Sequence, residues 1–138
     1  MTFERGGALT ATLFEDEVPS VCKSILEIIP FESEVLHSRW CGREINFPIN
    51  TRTTTPLENL TCQTSLLDLA YWRDPSEPPE TATETLAIYY GPEYLRYYRG
   101  TLFVSVFGRI DGKDEKTLKH IGIRVWQNGK EKIKVEKI

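Results

Sequence analysis

The sequence predicts a mainly β protein, namely a closed or nearly closed antiparallel β-barrel of about eight strands with one or two flanking helices. Three observations predict it. Many short segments alternate apolar and polar residues and end at turn-forming residues, as strands do. Only one segment has a clear helical spacing of apolar residues. Finally, an Asn-Gly pair, typical of tight hairpins, joins two strand-like segments near the carboxyl terminus.

Length and composition favour one ordinary globular domain spanning residues 1–138. A chain of 138 residues is expected to bury about 68% of its unfolded surface, which is enough for a core without a metal or a disulfide. The chain is 40% hydrophobic and 27% charged, and no apolar run approaches the roughly 20 residues of a membrane span. Its first residues lack the pattern of a secretory signal. We therefore expect a cytoplasmic protein with no membrane partner.

Cysteine spacing and charge exclude further classes. Cys22, Cys41 and Cys62 are odd in number and widely spaced, which fits neither a disulfide framework nor a zinc site. We therefore expect no metal and no cofactor. The net charge is −3, and the lysines between 130 and 134 alternate with other residues, as on the solvated face of an edge strand. The sequence accordingly predicts no nucleic-acid partner.

The first half of the chain contains the one clear helix. Apolar residues recur at helical spacing from Val18 to Ile29, Pro19 suits the first turn, and Pro30 ends the helix. A tight turn or bulge is predicted at Cys41-Gly42. The strands predicted here are Ala8 to Phe14, Glu34 to Trp40 and Glu44 to Ile49.

The second half is predicted to be mostly strands and loops. Pro92 to Tyr98 has tyrosines at i and i+4 and predicts one or two helical turns. Asn128-Gly129 predicts a type I′ hairpin between Ile123–Gln127 and Lys130–Val135. The other predicted strands are Ser65 to Trp72, Thr85 to Tyr90 and Leu102 to Ile110; the predicted loops are Asn50 to Cys62, Asp74 to Glu80 and, as a loop or short helix, Asp111 to Leu118.

The most informative stretch for function is Val35 to Gly42. If it is extended, His37 and Arg39 point to one face, because strand side chains alternate. A guanidinium beside an imidazole can bind a carboxylate, a carbonyl or an amide. Trp40 lies on the opposite face with Leu36, and we expect it to pack in the core. No nucleophile, metal box or phosphate loop accompanies the pair to name a reaction.

A second candidate region is rich in tyrosine. Tyrosines alternate with Arg96 and Arg99, a pattern similar to a base-stacking platform. Because the segment crosses a strand end and a helical turn, the tyrosines cannot all face one way. We expect them to pack around the barrel mouth, with one or two hydroxyls lining a pocket. The predicted ligand-binding residues are therefore His37, Arg39, Glu44 and Tyr89.

The chain resembles a known group over nearly its whole length. The residues that carry the resemblance are Val18 to Leu26, Leu36 to Gly42, Ile88 to Pro92 and Ile121 to Trp126. They are similar to those of uncharacterised bacterial proteins with a cyclophilin-like fold. The resemblance implies an antiparallel β-barrel with flanking helices. In prolyl isomerases an Arg follows a Phe-His pair on a strand, whereas Leu36-His37-Ser38-Arg39 has one residue more between His and Arg.

Three functions stay open at this stage. The first is a binding module for a small carboxylate or amide ligand, or a peptide, at the barrel mouth near His37, Arg39 and Glu44. The second is a small-molecule metabolic enzyme with His37 as acid or base and Arg39 as anion anchor. The third is a peptidyl-prolyl isomerase. Self-association into a homo-oligomer is also possible for a small barrel with strand edges.

Overall fold

The structure is a computed structural model and describes residues 1–51 and 54–138. Its two helices are α1 (Pro19–Ile28) and α2 (Glu115–Asn128), the latter preceded by a 3-10 turn, Gly112–Asp114. No helix in this part of the chain has the length and apolar character needed to cross a membrane. The strands are β1 (Thr2–Phe3), β2 (Ala11–Leu13), β3 (Phe31–His37), β4 (Glu44–Ile49), β5 (Leu60–Thr61), β6 (Gln63–Thr64), β7 (Asp68–Arg73), β8 (Glu84–Tyr89), β9 (Glu93–Tyr94), β10 (Arg96–Tyr97), β11 (Gly100–Thr101), β12 (Val104–Ile110) and β13 (Glu131–Val135).

The main sheet is an open half-barrel. Its strands lie in the order β1-β13-β3-β4-β8-β7-β12-β2, and every neighbouring pair is antiparallel. The mainly β class and the number of strands are confirmed, but the predicted closure is wrong. The two edge strands, β1 and β2, have only two and three residues and do not pair with each other.

The two faces of the sheet have different neighbours. Both helices pack on one face, where Val21 and Ile25 of α1 and Ile121 of α2 join the larger apolar core. The other face, here called the pocket face, includes Asn46, Ala87, Ala70 and Val106, which are register partners across β4, β8, β7 and β12. Partners directly opposite one another point to the same side of a sheet. A smaller apolar cluster covers part of this face.

Helix α1 confirms the helix predicted at residues 18–29. It begins at Pro19 and ends at Ile28, just before Pro30, because proline disfavours a helical conformation in the residue that precedes it. Its buried residues are Val21, Cys22 and Ile25. This spacing turns one stripe toward the sheet.

Helix α2 corrects the predicted hairpin at the carboxyl terminus. Residues 123–127 are helical, and the Asn-Gly pair ends the helix. Gly129 has φ +83° and its N–H donates to the Val125 carbonyl at 3.1 Å. A positive φ suits both a type I′ turn and a helix C-terminus, so the pair alone does not distinguish them. The spacing of the buried residues Leu118, Ile121 and Val125 does.

Most other strand predictions are confirmed within a few residues, but several segments differ, among them the predicted loop at residues 50–62, which contains β5. The segment from Pro92 to Tyr98 forms β9 and β10 rather than helical turns. Strand β3 stops at His37 instead of continuing to Trp40. Strand β13 is not an edge, since it pairs with both β1 and β3. The segment from Asp74 to Glu80 contains no strand or helix, as predicted. Residues 52–53 of the predicted 50–62 loop lie outside the described residues.

Candidate functional site

A pocket of about 240 Å³ lies on the pocket face of the sheet. Strands β4, β7 and β8 form its floor, and the turn after β3 and the residues around the β10–β11 pair form its walls. Five aromatic residues and one carboxylate belong to this lining. The lining residues are Ser38, Trp40, Cys41, Glu44, Asn46, Trp72, Thr85, Ala87, Tyr89, Tyr97, Tyr98, Leu102 and Val104.

Glu44 supplies a buried carboxylate to this pocket. As the first residue of β4 it points to the same side as Asn46, two positions later. The Asn46 side-chain amide donates to Glu44 Oε1 at 3.0 Å. Only 6% of Glu44 is exposed, and this burial raises the pKa of its carboxyl to about 7. Glu44 therefore changes charge near neutral pH.

Tyr89 lies directly opposite Glu44 in the β4–β8 register. Its hydroxyl is buried, and no described residue makes a hydrogen bond to it of standard length and angle. Burial raises the pKa of this hydroxyl well above the usual value, and both the charge of Glu44 and an imperfect hydrogen bond with its carboxylate add to the effect. Buried hydroxyls without a partner are uncommon and costly. Tyr89 thus offers a polar group that a bound molecule could satisfy.

Aromatic side chains form the walls. The Tyr97 ring lies edge-on to Trp72, with centroids 6.2 Å apart, and packs 5.4 Å from Tyr98. At the mouth, Trp40 is 57% and Tyr98 69% exposed. The predicted core position of Trp40 is therefore wrong, because the chain turns away from the sheet after His37. The arrangement places several aromatic side chains around a small cavity.

The structure brings two of the four predicted ligand-binding residues into this pocket and leaves two outside its lining. Glu44 and Tyr89 line it; His37 and Arg39 do not. The two are not neighbours on a strand face, since β3 ends at His37 and Arg39 is exposed in the following turn. Hydrogen bonds from Ser38 N to Glu44 O (2.9 Å) and from Cys41 N to Ser38 Oγ (3.1 Å) close that turn. A role for any of the four residues in binding stays a prediction.

His37 points to the helix-packed face of the sheet and makes hydrogen bonds to the first residue of the turn, Ser38, and to Tyr90. Its Nδ1 lies 2.8 Å from the Ser38 carbonyl and its Nε2 2.6 Å from the Tyr90 hydroxyl. A carbonyl only accepts, so Nδ1 carries the proton and Nε2 accepts from Tyr90. Burial lowers the pKa of the imidazole, which favours this neutral form. The edge of Trp126 completes the cluster, with centroids 4.8 Å apart.

Sequence reasoning missed several lining residues. Asn46 could have been found, because it shares a strand face with Glu44 in a correctly predicted strand. The sequence predicts Tyr97 and Tyr98 only as residues around the barrel mouth, because the spacing of their segment predicts helical turns. Trp72 reaches the pocket through the β7–β8 pairing, which no local pattern encodes.

Neither a reactive cysteine nor a metal-binding cluster is found at this site among the described residues. The Cys41 thiol donates to the Arg96 carbonyl at 3.2 Å, and burial raises its pKa to about 12, so it is a poor nucleophile. The three cysteines are not disulfide-bonded. Within residues 1–51 and 54–138, no group of three or more His, Cys, Asp or Glu side chains could hold a metal ion.

A second, larger cavity of about 370 Å³ opens at the seam of the half-barrel. Its inner wall is apolar and includes Leu9, Ile25 and Phe107. The charged side chains at its rim, such as Glu15 and Lys137, are exposed. This cavity lacks a buried ionisable side chain among the described residues that line it. The smaller pocket contains such a side chain, Glu44, and is therefore the better candidate for a functional site.

Comparisons with known proteins identify the fold and the family. No curated protein matches the sequence. The solved structure of McbB in complex with tryptophan is similar, with a TM-score of 0.77 and 16% identity over 99% of this chain and 43% of that one. The chain thus spans less than half of McbB, and at this identity the likeness shows the fold alone. The resemblance to bacterial cyclophilin-like proteins stays a prediction. A family model described as a protein of unknown function (DUF3830) matches residues 2–136, and the chain therefore belongs to the DUF3830 family.

Proposed function

We propose that this protein binds a small molecule that carries a protonated amine next to a flat apolar group. The ligand occupies the pocket of Glu44 and Tyr89. The observation that carries the proposal is a buried carboxylate in a cavity walled by Trp72 and Tyr97. An ammonium group is attracted both by a carboxylate and by the faces of aromatic rings.

The pocket's polar groups favour an amine over the other ligands that the sequence suggested. An ionised Glu44 repels a carboxylate at the pocket floor, whereas it accepts a hydrogen bond from an amine or an amide N–H. The buried Tyr89 hydroxyl can bond to the same nitrogen or to a nearby ligand atom. The McbB structure, which shares the fold, was determined with tryptophan, a molecule with an amine and a flat ring.

Calorimetry with matched ligands tests the proposal. At pH 8 we expect the protein to bind tryptamine more tightly than 3-ethylindole, which has the ring but no amine. Glu44→Gln keeps the shape of the side chain and is expected to weaken tryptamine binding at least about tenfold, because a charge-assisted bond is lost. Glu34→Gln, on the neighbouring strand and paired with Lys130, is the control. Equal affinity of tryptamine for Glu44→Gln and the native protein would contradict the proposal.

A second candidate function is proton-transfer catalysis at the same site. It is supported by the pKa of about 7 of Glu44, which suits a general acid or base at neutral pH. In this case Glu44, rather than His37, moves the proton, because His37 Nε2 is already bonded to Tyr90. Incubation of bound amines and amides in D₂O, followed by NMR, should then show exchange at a ligand C–H. That exchange should disappear in Glu44→Gln.

A further inference from the structure

The segment from Ala8 to Leu13 lines the seam cavity, and its backbone groups alternate between the two sides of the chain. Leu9 faces β1: the Met1 nitrogen donates to the Leu9 carbonyl and the Leu9 N–H donates to the Met1 carbonyl, both at 2.9 Å. Thr10 faces the opposite side, where its carbonyl accepts from the Asp111 N–H at 2.8 Å. Backbone groups of neighbouring residues in an extended chain point in opposite directions in this way.

The backbone groups of Ala11 and Leu13 therefore face the same side as β1, and they are unused. The Phe14 N–H donates to the Phe107 carbonyl of β12 at 2.8 Å, which fixes the alternation at this end of the segment. The Ile110 N–H, whose residue pairs with Ala11, donates away from β2. Within residues 1–51 and 54–138, no hydrogen bond satisfies the N–H or C=O of Ala11 or Leu13.

The space next to these two residues continues the path of β1. Thr2 of β1 pairs with Lys134 on one side and with Ala8 on the other, so β1 lies between β13 and this segment. Alongside β2, no described strand takes that place on the side away from β12. Residues 136–138, which follow β13, line the far side of the same cavity. The gap between them and β2 is here called the slot.

An extended peptide matches the chemistry of the slot. Free donors and acceptors two residues apart recur about every 6.6 Å along β2, which is the spacing that another strand presents. The inner wall of the cavity is apolar and includes Ile25 and Phe107. Met1, opposite Leu9, packs its side chain against this core, so side chains at every second position of a continued strand point to the same wall. A purely apolar molecule can fill the cavity but leaves the backbone groups of β2 unpaired.

We infer that the slot binds an extended peptide, which adds to the sheet as a strand antiparallel to β2. The peptide residues opposite Ala11 and Leu13 exchange backbone hydrogen bonds with them and place apolar side chains on the cavity wall. The slot and the Glu44 pocket share no lining residue. This second site therefore takes a different class of ligand and does not depend on the proposed amine site.

Hydrogen exchange measured by NMR tests this inference on the full chain without an amino-terminal tag. The probe is the peptide acetyl-Thr-Val-Thr-Val-Thr-amide, which carries no amine for Glu44. With this peptide at about 2 mM, we expect the Ala11 and Leu13 amide protons to exchange at least about tenfold more slowly, because they gain a bonded partner. The Phe14 N–H is already bonded and serves as the internal control, with an expected change of less than about twofold.

Two modified peptides separate strand addition from simple filling of the cavity. Methylation of both valine nitrogens removes the N–H groups that bond to β2, and replacement of both valines by alanine removes the apolar side chains. Each change should weaken binding at least about tenfold. Glu44→Gln should bind the parent peptide as the native protein does.

Four results overturn the inference. The first two are a failure of the parent peptide to protect Ala11 and Leu13, and equal binding of either modified peptide. The third is loss of peptide binding in Glu44→Gln, which places the peptide in the amine pocket. The fourth is protection that rises with protein concentration in the absence of peptide, which shows that a second copy of the chain fills the slot. Tryptamine binding is measured separately, so the proposed function stands or fails independently.

Discussion

At the scale of single residues, Glu44 and Tyr89 define the character of the site. They face each other across β4 and β8, and both are buried in a pocket that has an opening to solvent. A buried carboxyl and a buried hydroxyl without a well-formed hydrogen bond both reduce the stability of a fold. Groups of this kind are found most often where a protein binds or transforms a ligand.

Glu44→Gln should stabilise the free protein above neutral pH. The pKa of Glu44 is about 7 in the fold, against a usual 4.5, so folding favours the protonated form. The protein therefore has no stability penalty from this carboxyl below about pH 4.5, where the group is protonated in both the folded and the unfolded state. Stability is lost as the pH rises from about 4.5 through about 7. Urea unfolding at pH 8 should show the variant more stable by up to about 3 kcal/mol, and the difference should nearly vanish at pH 4.5.

A matched control is Glu84→Gln, which also changes a buried carboxylate. Glu84 accepts hydrogen bonds from Thr51 N (2.9 Å), Thr51 Oγ1 (2.6 Å) and Tyr71 OH (2.7 Å). An amide cannot replace both carboxylate oxygens as acceptors, so this variant should lose about 1 to 3 kcal/mol. If Glu44→Gln lost stability as Glu84→Gln does at pH 8, the assignment of Glu44 as a ligand-binding group would be wrong.

Tyr89→Phe should separate stability from binding. The interaction of this buried hydroxyl with Glu44 lacks standard hydrogen-bond geometry, so its removal relieves more desolvation than it loses in bonding, and the free energy of unfolding should stay constant or rise by about 1 kcal/mol. Affinity for tryptamine should fall, because the ligand loses a polar contact. Chemical denaturation and calorimetry on the same sample measure the two effects. A clear loss of stability would instead indicate a hydrogen bond that holds the fold together.

Two of the four residues that the sequence predicts for the site line the pocket in the structure. Glu44 begins a strand that the sequence defines well, and Tyr89 ends another, so their pairing follows from the topology. The prediction that His37 and Arg39 share one face requires an extended chain through Trp40. The hydrogen bonds of Ser38 turn the backbone there instead. Such a turn competes with strand alternation and is hard to see without the pairing partner.

At the scale of elements, α2 is fixed to the sheet by a close approach at Gly122. A Cβ at this position would overlap the ring of Tyr90, whose hydroxyl bonds to His37. Glycine is therefore needed for the packing distance, not for its backbone freedom. This contact connects α2 to the strand end next to Tyr89 and to the turn that begins at Ser38.

Gly122→Ala should destabilise the protein although alanine favours helices. Displacing Tyr90 should cost about 1 to 3 kcal/mol, more than the gain of about 1 kcal/mol in helix propensity. Gly112→Ala is the control, since a Cβ there meets no atom within 4 Å, and its stability should change by less than about 1 kcal/mol. Thermal unfolding measures both, and equal effects at the two positions would contradict the packing argument.

The same helix shows why local patterns were not sufficient for some elements. Strand β4 matches its prediction at both ends, because the alternation of Ile45, Phe47 and Ile49 has no competing reading. In α2, the helical spacing of Leu118, Ile121 and Val125 competes with the Asn-Gly pair, which predicts a hairpin. For β10 and β11, the chain reverses between Tyr97 and Gly100, which pair with each other, and Gly100 has φ +113°. The helical spacing of the tyrosines is coincidental.

At the scale of the whole molecule, one ion-pair network joins distant parts of the chain. Glu131 of β13 is only 3% exposed. Its Oε1 accepts from Arg124 Nε of α2 at 2.9 Å, and its Oε2 accepts from the backbone N–H of Arg5 at 2.9 Å. The network thus links α2, β13 and the amino-terminal turn beside the open seam. It stabilises the edge of a sheet that does not close.

Glu131→Gln should destabilise the fold by about 3 kcal/mol, because it leaves Arg124 largely buried without a negative partner. Burial by itself would raise the pKa of Glu131, but the Arg5 N–H and the Arg124 guanidinium lower it overall. The native advantage should therefore be present above pH 4.5 and disappear as the pH falls through the lowered value. Denaturation at pH 7 and pH 3 checks this. The exposed control Glu136→Gln, paired with Lys134, should change stability by less than about 1 kcal/mol.

Two cavities of the half-barrel differ in chemistry, and this chemistry decides which of the two is the better functional site for an amine. The apolar seam cavity follows from the short edge strands, whereas the smaller pocket holds the buried acid and the aromatic walls. A crystal structure of the protein soaked with tryptamine tests this central claim most directly. We predict the ligand amine within about 3 Å of a Glu44 carboxylate oxygen, the length of a charge-assisted hydrogen bond. Density for the ligand in the seam cavity, with the Glu44 pocket empty, would contradict it.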